Sequence, residues 1–365
     1  MTHIYDLFTE EDLAAGLDAK LIVRRESGTG LAIYNYTDAA MWTAGSWGNP
    51  AVRQCRGLIV DASTGEVVAR PWGKFFNHGQ PEAGELDLEA PVEVTDKLDG
   101  SLGIIYRDAD GALKVATRGS FTSEQAVHAT RTLQLRYRDF RGWYRITPLV
   151  EIIYPANRVV CDYRDWDDLV LLGAVGVDSG VYHSPYAVRA ALGWPGPVAG
   201  VMGYQTLRDA LAAPPRPGAE GMCVRYLRED RIVKIKQDDY IALHRIVTGL
   251  SEKTVWESIA AGQQVTDVLA GLPDELHAWV RDVWDRMTAQ ADAIHNMATA
   301  AHDAILRELP DGWARRDYAE RAKALPSVTP YLFQLLDGRD PRPGIHKTLK
   351  PAGDTRYRVM SEDVA

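Results

Sequence analysis

The stretch Asp96-Lys97-Leu98-Asp99-Gly100-Ser101-Leu102 sets the reading of the chain. An apolar, β-branched run, Pro91-Val92-Glu93-Val94, leads into the lysine. A tight Asp-Gly turn follows, and then a second such run, Leu102-Gly103-Ile104-Ile105-Tyr106. That order is strand, turn, strand. Glycine lets backbone come close to a bound ligand at low steric cost. A lysine amine attacks phosphorus only when neutral, so its ordinary pKa of about 10.4 must be lowered by burial or nearby positive charge. The competing reading is a surface lysine in a hairpin.

Outward from this stretch, Val233-Lys234-Ile235-Lys236 reads as a strand. Residues two apart share a face, so Lys234 and Lys236 form a cationic wall while Val233 and Ile235 turn to the core. Two ammonium groups suit a triphosphate, and they disfavour a third charge on Lys97. The alternative is an exposed strand face with ordinary lysines. Glu151 in Leu149-Val150-Glu151-Ile152-Ile153 and Glu220 in Glu220-Gly221-Met222-Cys223-Val224 are carboxylates in strand-like surroundings. Such a position is expensive unless the carboxylate is paired or binds metal. Mg²⁺ favours one or two carboxylates plus phosphate oxygens and water. The alternative for each is an outward-facing Glu on a one-sided sheet. Arg56, Lys74 and Arg118 are further basic candidates, each weak alone.

The chain has 365 residues, 46% hydrophobic and 25% charged. That composition excludes a mainly disordered or disulfide-scaffold protein. Three widely spaced cysteines, Cys55, Cys161 and Cys223, fit a reducing compartment and exclude a paired-cysteine zinc site. No membrane-spanning run and no secretory leader are read, so a cytoplasmic location is expected. Lys and Arg number 41 and Asp and Glu 50, a net charge of −9. This counts against a generic polyanion-coating protein but leaves room for a focused basic cleft. Residues 315–358 carry ten basic against five acidic residues, a local +5.

Short strand signals fill residues 20–235, with a helix expected from Ser123 to about Tyr137 and hairpin turns at Asp110-Gly111 and Gly28-Thr29-Gly30. After about residue 245 the texture changes. Val280, Val283, Trp284, Met287, Ala291, Ile294, Met297, Ala301 and Ile305 recur at steps of three and four, the stripe of a long amphipathic helix. The fold class is therefore α+β, with residues 1–245 as one domain and a mainly α-helical C-terminal domain at 246–365. His295 and His302, seven apart on the long helix, read as packed rather than metal-binding.

In order and spacing these motifs resemble the covalent nucleotidyltransferase superfamily of polynucleotide ligases and capping enzymes. Lys97-Leu98-Asp99-Gly100 matches its Lys-x-Asp-Gly motif. The segments around Glu151, Asp168–Val175, Glu220 and Lys234-Ile235-Lys236 look like the motifs that follow. A narrower resemblance is to the phage T4 RNA ligase 1 family. It is carried by Arg56-Gly57-Leu58-Ile59, Pro71–Asn77, Lys97–Leu102, Thr117-Arg118-Gly119-Ser120-Phe121 and Pro155–Val160, across residues 50–245.

The resemblance implies an antiparallel-sheet nucleotidyltransferase domain of the ATP-grasp-like ligase type, followed by a helical domain that chooses the RNA. It implies an ATP-dependent RNA ligase that joins a 3′-hydroxyl to a 5′-phosphate through lysyl-adenylate and RNA-adenylate, in RNA repair such as tRNA repair. A separate end-healing enzyme would act as partner. The implied catalytic residues are Lys97, Lys234 and Lys236. The implied nucleotide contacts are Arg56, Lys74, Lys97, Asp99, Gly100, Arg118, Glu151, Glu220, Lys234 and Lys236. Glu220 and Glu151 would hold Mg²⁺, with Mn²⁺ as a substitute. The alternatives are a DNA ligase, a capping-type enzyme, or a non-catalytic RNA-binding relative.

Overall fold

A computed structural model of the chain describes residues 1–353 and 355, except 230, 271 and 273. Contacts divide it into two units, Met1–His244 and Arg245–Val359, whose last residues lie outside the described ones. The first is mixed α+β with largely antiparallel sheets, and the second is helical.

Among the described residues, fourteen strands build the first unit. In chain order they are β1 (Ile22–Glu26), β2 (Leu31–Tyr36), β3 (Arg56–Asp61), β4 (Val67–Ala69), β5 (Phe76–Asn77), β6 (Val92–Lys97) and β7 (Ser101–Arg107). They continue as β8 (Leu113–Ala116), β9 (Ile146–Ile153), β10 (Asp168–Gly176), β11 (Tyr182–His183), β12 (Val201–Met202), β13 (Gly221–Tyr226) and β14 (Ile232–Lys236). They form three sheets, ordered β1-β2-β3-β4, β11-β10-β9-β7-β8 and β12-β6-β13-β14-β5. All pairings are antiparallel except that of β14 with β5.

The sequence texture follows from what covers each sheet. The middle sheet is buried on both faces. Leu102, Ile104 and Leu149 pack on Ile33 and Ile59 of the first sheet. Ile105, Val150 and Ile152 pack on the other side under Ala129 and Leu133 of the helix Glu124–Arg136. Strand β9 is accordingly apolar almost throughout, so Glu151 stands out in it. That helix begins where the sequence places it, with the Ser123 side chain capping the Ala126 N–H. The third sheet alternates: Val92, Val94, Met222, Val224 and Val233 are core, and the residues between them turn the other way.

In the second unit the helix Asp274–Glu308 is the spine. Val280, Val283 and Met287 pack with the helix Glu252–Ala260, and Ala291, Ala298 and Ile305 pack with Tyr318 and Leu332. His302 bonds the buried Tyr318 hydroxyl at 2.7 Å, a packing role. No helix among the described residues is long and apolar enough to cross a membrane.

Candidate active site

Three strands of the third sheet lay a grid of side chains along the floor of one cleft. Lys97, Gly221 and Lys236 are register partners in the first row. Thr95, Cys223 and Lys234 make the second, and Glu93, Arg225 and Ile232 the third. Alternation points these positions away from the Val94 and Val224 core. The cleft encloses about 60 Å³ of space. Glu151, Leu102 and Leu172 from the middle sheet, Tyr36 and Arg56 from the first, and the segment Trp72–Phe75 complete its walls.

Glu220 is the electrostatic centre. Its carboxylate is 4% exposed; Oε2 accepts from Lys97 Nζ at 2.6 Å and Oε1 lies 3.1 Å from Lys236 Nζ. Gly221, the next residue, has φ +152°, and a Cβ there would meet the Ile235 carbonyl at 2.0 Å. Only glycine permits this approach of β13 to β14, which brings Glu220 between the two lysines.

The Lys97 loop is held from beneath. Gly100 N–H donates to Glu151 Oε1 at 2.9 Å. Asp99 Oδ2 accepts from the Val160 and Cys161 N–H groups, both at 2.7 Å. Its Oδ1 accepts from Tyr240 Oη at 2.8 Å, and Asp99 N–H donates to Tyr163 Oη at 2.8 Å. The Asp99 carboxylate is thus spent within the protein, as an anchor for the loop. A Cβ on Gly100 would lie 2.6 Å from the Ile152 carbonyl oxygen. Gly100→Ala is expected to lower stability by about 1–3 kcal/mol through this overpacking, read from urea unfolding. An unchanged midpoint would contradict the close approach.

The lysines are not equivalent, which corrects the expectation that Lys97 is kept partly neutral. Burial is the strongest single influence and works to lower Lys97, but the charges of Glu220, Cys223 and Glu151 with the Glu220 hydrogen bond together raise the pKa above the ordinary value. Lys234 is the depressed amine: burial, then the charges of Lys97, Lys74, Arg56 and Lys236, push it well down. It has no carboxylate partner among the described residues and lies 5.0 Å over the Phe75 ring. The expected wall of two lysines is therefore divided, Lys234 lining the open cleft and Lys236 serving Glu220 beside the Tyr240 ring.

A lysine with a lowered folded-state pKa costs stability below that value, and the cost fades as pH rises toward about 10.4. Lys234→Met is thus expected to raise the melting temperature at pH 7, by ~2–4 °C per kcal/mol relieved. A lower melting temperature would contradict the assigned strain.

Lys74 Nζ sits 3.3 Å from Tyr36 Oη and over the Tyr36 and Trp47 rings at 5.0 and 5.1 Å. Burial lowers its pKa, and the Arg56 and Arg118 charges add to this. Arg56 lies 5.4 Å over Phe75 in the cleft wall. Arg118 does not line the cleft; it bonds the Tyr36 hydroxyl and stacks 4.6 Å over that ring, backing Tyr36 from outside. The sequence reading missed Tyr36, Tyr163 and Tyr240. Tyr240, four residues beyond Lys236, was open to discovery only through the fold.

Glu151 and Glu220 do not form a ready-made metal cage. Glu220 faces two ammonium groups and Glu151 holds the Gly100 N–H. Among the described residues no group of three His, Cys, Asp or Glu is placed to hold a metal ion. The donor set fits Mg²⁺ only where phosphate oxygens and water supply most ligands.

A buried lysine ion-paired to a buried carboxylate thus lies beside a second lysine-bearing strand at this cleft. Residues 54–190 match the model of a family described as RNA ligase, of the phage T4 RNA ligase 1 type. The chain is 28% identical over 190 residues to RNA ligase 1 of Bacteriophage TS2126, covering 48% of this chain and 47% of that protein. It thus spans about half the length of that curated relative. A solved apo point mutant of Naegleria gruberi RNA ligase aligns at 20% identity and a TM-score of 0.34, over 44% of this chain and 52% of that one.

Proposed function

We propose that the chain is an ATP-dependent RNA ligase. The observation that carries this is the Lys97–Glu220–Lys236 bridge at one end of the grid, with Lys234 beside it in the open cleft. The apolar wall of Leu98, Leu102 and Leu172 suits a nucleobase. With the α-phosphate against Lys234, Lys97 gives its proton across the 2.6 Å contact with Glu220. Its free amine attacks phosphorus, the bond to the β-phosphate oxygen breaks, and pyrophosphate leaves a lysyl-adenylate. The AMP passes to an RNA 5′-phosphate, and the 3′-hydroxyl then displaces it. Lys234, Lys74 and Arg56 offset the charge developing on the phosphate oxygens. Mg²⁺, shared between the phosphates and Glu151 or Glu220, would neutralise part of that charge.

We place RNA choice in the helical unit, with a cytoplasmic repair role and an end-healing partner as parts of the same reading. Its basic residues are largely paired. Arg315 and Arg339 share Asp337, Arg342 pairs with Asp292, and Lys350 lies over Trp256. Arg316, 84% exposed, is the candidate phosphate contact that stands most open; Arg356 and Arg358 lie outside the described residues. The test is a mixture of ATP, Mg²⁺ and 5′-phosphorylated, 3′-hydroxyl RNA, given to the full chain and to one ending at residue 250. The full chain should join the RNA. The short form should still take AMP from ATP yet join RNA at least about tenfold more slowly. Equal joining by both would remove the helical unit from substrate choice, and joining of nicked DNA alone would favour a DNA ligase.

A further inference from the structure

Behind the segment Trp72–Phe75 lies a second cavity of about 250 Å³. It shares Trp72, Lys74 and Phe75 with the cleft, so those residues wall both spaces. Its lining is strongly cationic: Arg53, Arg70, Lys74 and Arg231 face a single acidic residue, Glu82. Arg53, Arg70 and Lys74 have no carboxylate within ion-pair distance among the described residues. Among the described residues Arg231 reaches Glu229, at 3.9 Å, and donates to the Glu85 carbonyl at 2.8 Å.

Arg70 is half-buried, its guanidinium reaching the Val177 carbonyl at 3.4 Å, and burial lowers its pKa. The Trp72 indole Nε1–H is buried and has no acceptor. In a chain of net charge −9, four cations around one cavity are met by one carboxylate, Glu82. Arg70 and Lys74 are partly buried cations without a carboxylate, a costly arrangement that a bound oxyanion relieves. Guanidinium forks match phosphate oxygens in pairs.

We propose that this outer cavity is a second phosphate-binding site, held by Arg53, Arg70 and Arg231, with Lys74 at its junction with the cleft. It goes beyond the ligase reading, because nothing in that reading requires anion binding behind the segment. The same phosphate chemistry has two sources: a pyrophosphate leaving the cleft past Lys74, or a phosphodiester of an RNA strand crossing it.

The experiment is calorimetric titration of the full chain and of the Arg53→Gln, Arg231→Gln double variant. The probes are pyrophosphate and a 5′-phosphorylated RNA octamer. The wild type should take up pyrophosphate in two events, one per cavity, and the variant in one. If RNA is the source, the variant should lose at least about tenfold in RNA affinity with a flatter salt dependence instead. The Arg53→Lys, Arg231→Lys form should recover most of the lost binding. Melting curves separate loss of the site from loss of the fold. Pyrophosphate and RNA binding both unchanged in a folded variant would overturn the proposal. Because binding is the readout, a chain that binds in this way yet forms no adenylate would refute the ligase reading and leave the second site standing.

Discussion

Replacing Lys97 by alanine or by arginine is expected to abolish adenylate formation while leaving the fold intact. The alanine form removes the nucleophile. The arginine form keeps the charge opposite Glu220 and so tests chemistry apart from electrostatics. A guanidinium stays protonated and cannot attack phosphorus. Both forms should show no transfer of label from α-³²P-ATP. Alanine leaves the buried Glu220 carboxylate with Lys236 alone, so some loss of stability is expected there. Arginine should melt closer to the wild type. Self-labelling by the arginine form would move the nucleophile elsewhere.

Glu220→Ala is expected to be the most damaging change to the site as a whole. It strands two ammonium groups beside a third, Lys234, that is already strained by burial and charge. Removing one member of a buried pair typically costs about 3–5 kcal/mol. The cost here should fall toward the lower end, because the Lys97 and Lys236 side chains keep 18% and 20% exposure. Lys97 has a raised folded-state pKa, so the stability it draws from Glu220 is present below the ordinary lysine value. It is lost as pH rises from there through the folded value. The stability gap between wild type and Glu220→Ala should therefore be wide at pH 7 and begin to narrow only above about pH 10.4. Adding Lys234→Met to Glu220→Ala should recover part of the loss. A gap that does not change with pH, or no recovery, would contradict the charge arrangement.

The strands were legible because burial on one or two faces leaves a period or an apolar run in the sequence. Strand β9 showed both its core setting and its odd residue, Glu151. The grid was partly legible: alternation placed Lys234 and Lys236 on one face, but not which of them would meet Glu220. That depends on the register of β13 with β14, fixed at Gly221 by a contact with Ile235 that no local pattern records. The charge state of Lys97 was misread for the same reason. Two nearby lysines argued for a neutral amine, and the carboxylate that overrides them comes from a residue 123 positions away in sequence. The tyrosines that anchor Asp99 and Lys74 were invisible because an isolated Tyr in a strand or helix reads as core. The outer cavity was hidden likewise, since Arg53, Arg70 and Arg231 share no motif.

Intact-mass spectrometry of the purified chain, before and after ATP and then after pyrophosphate, tests the central claim most directly. The account predicts a gain of one AMP, mapped by peptide analysis to Lys97, absent in Lys97→Arg and reversed by pyrophosphate. An unchanged mass in ATP and Mg²⁺, or an adduct mapped to Lys234, whose pKa burial and neighbouring charges push well down, would contradict it.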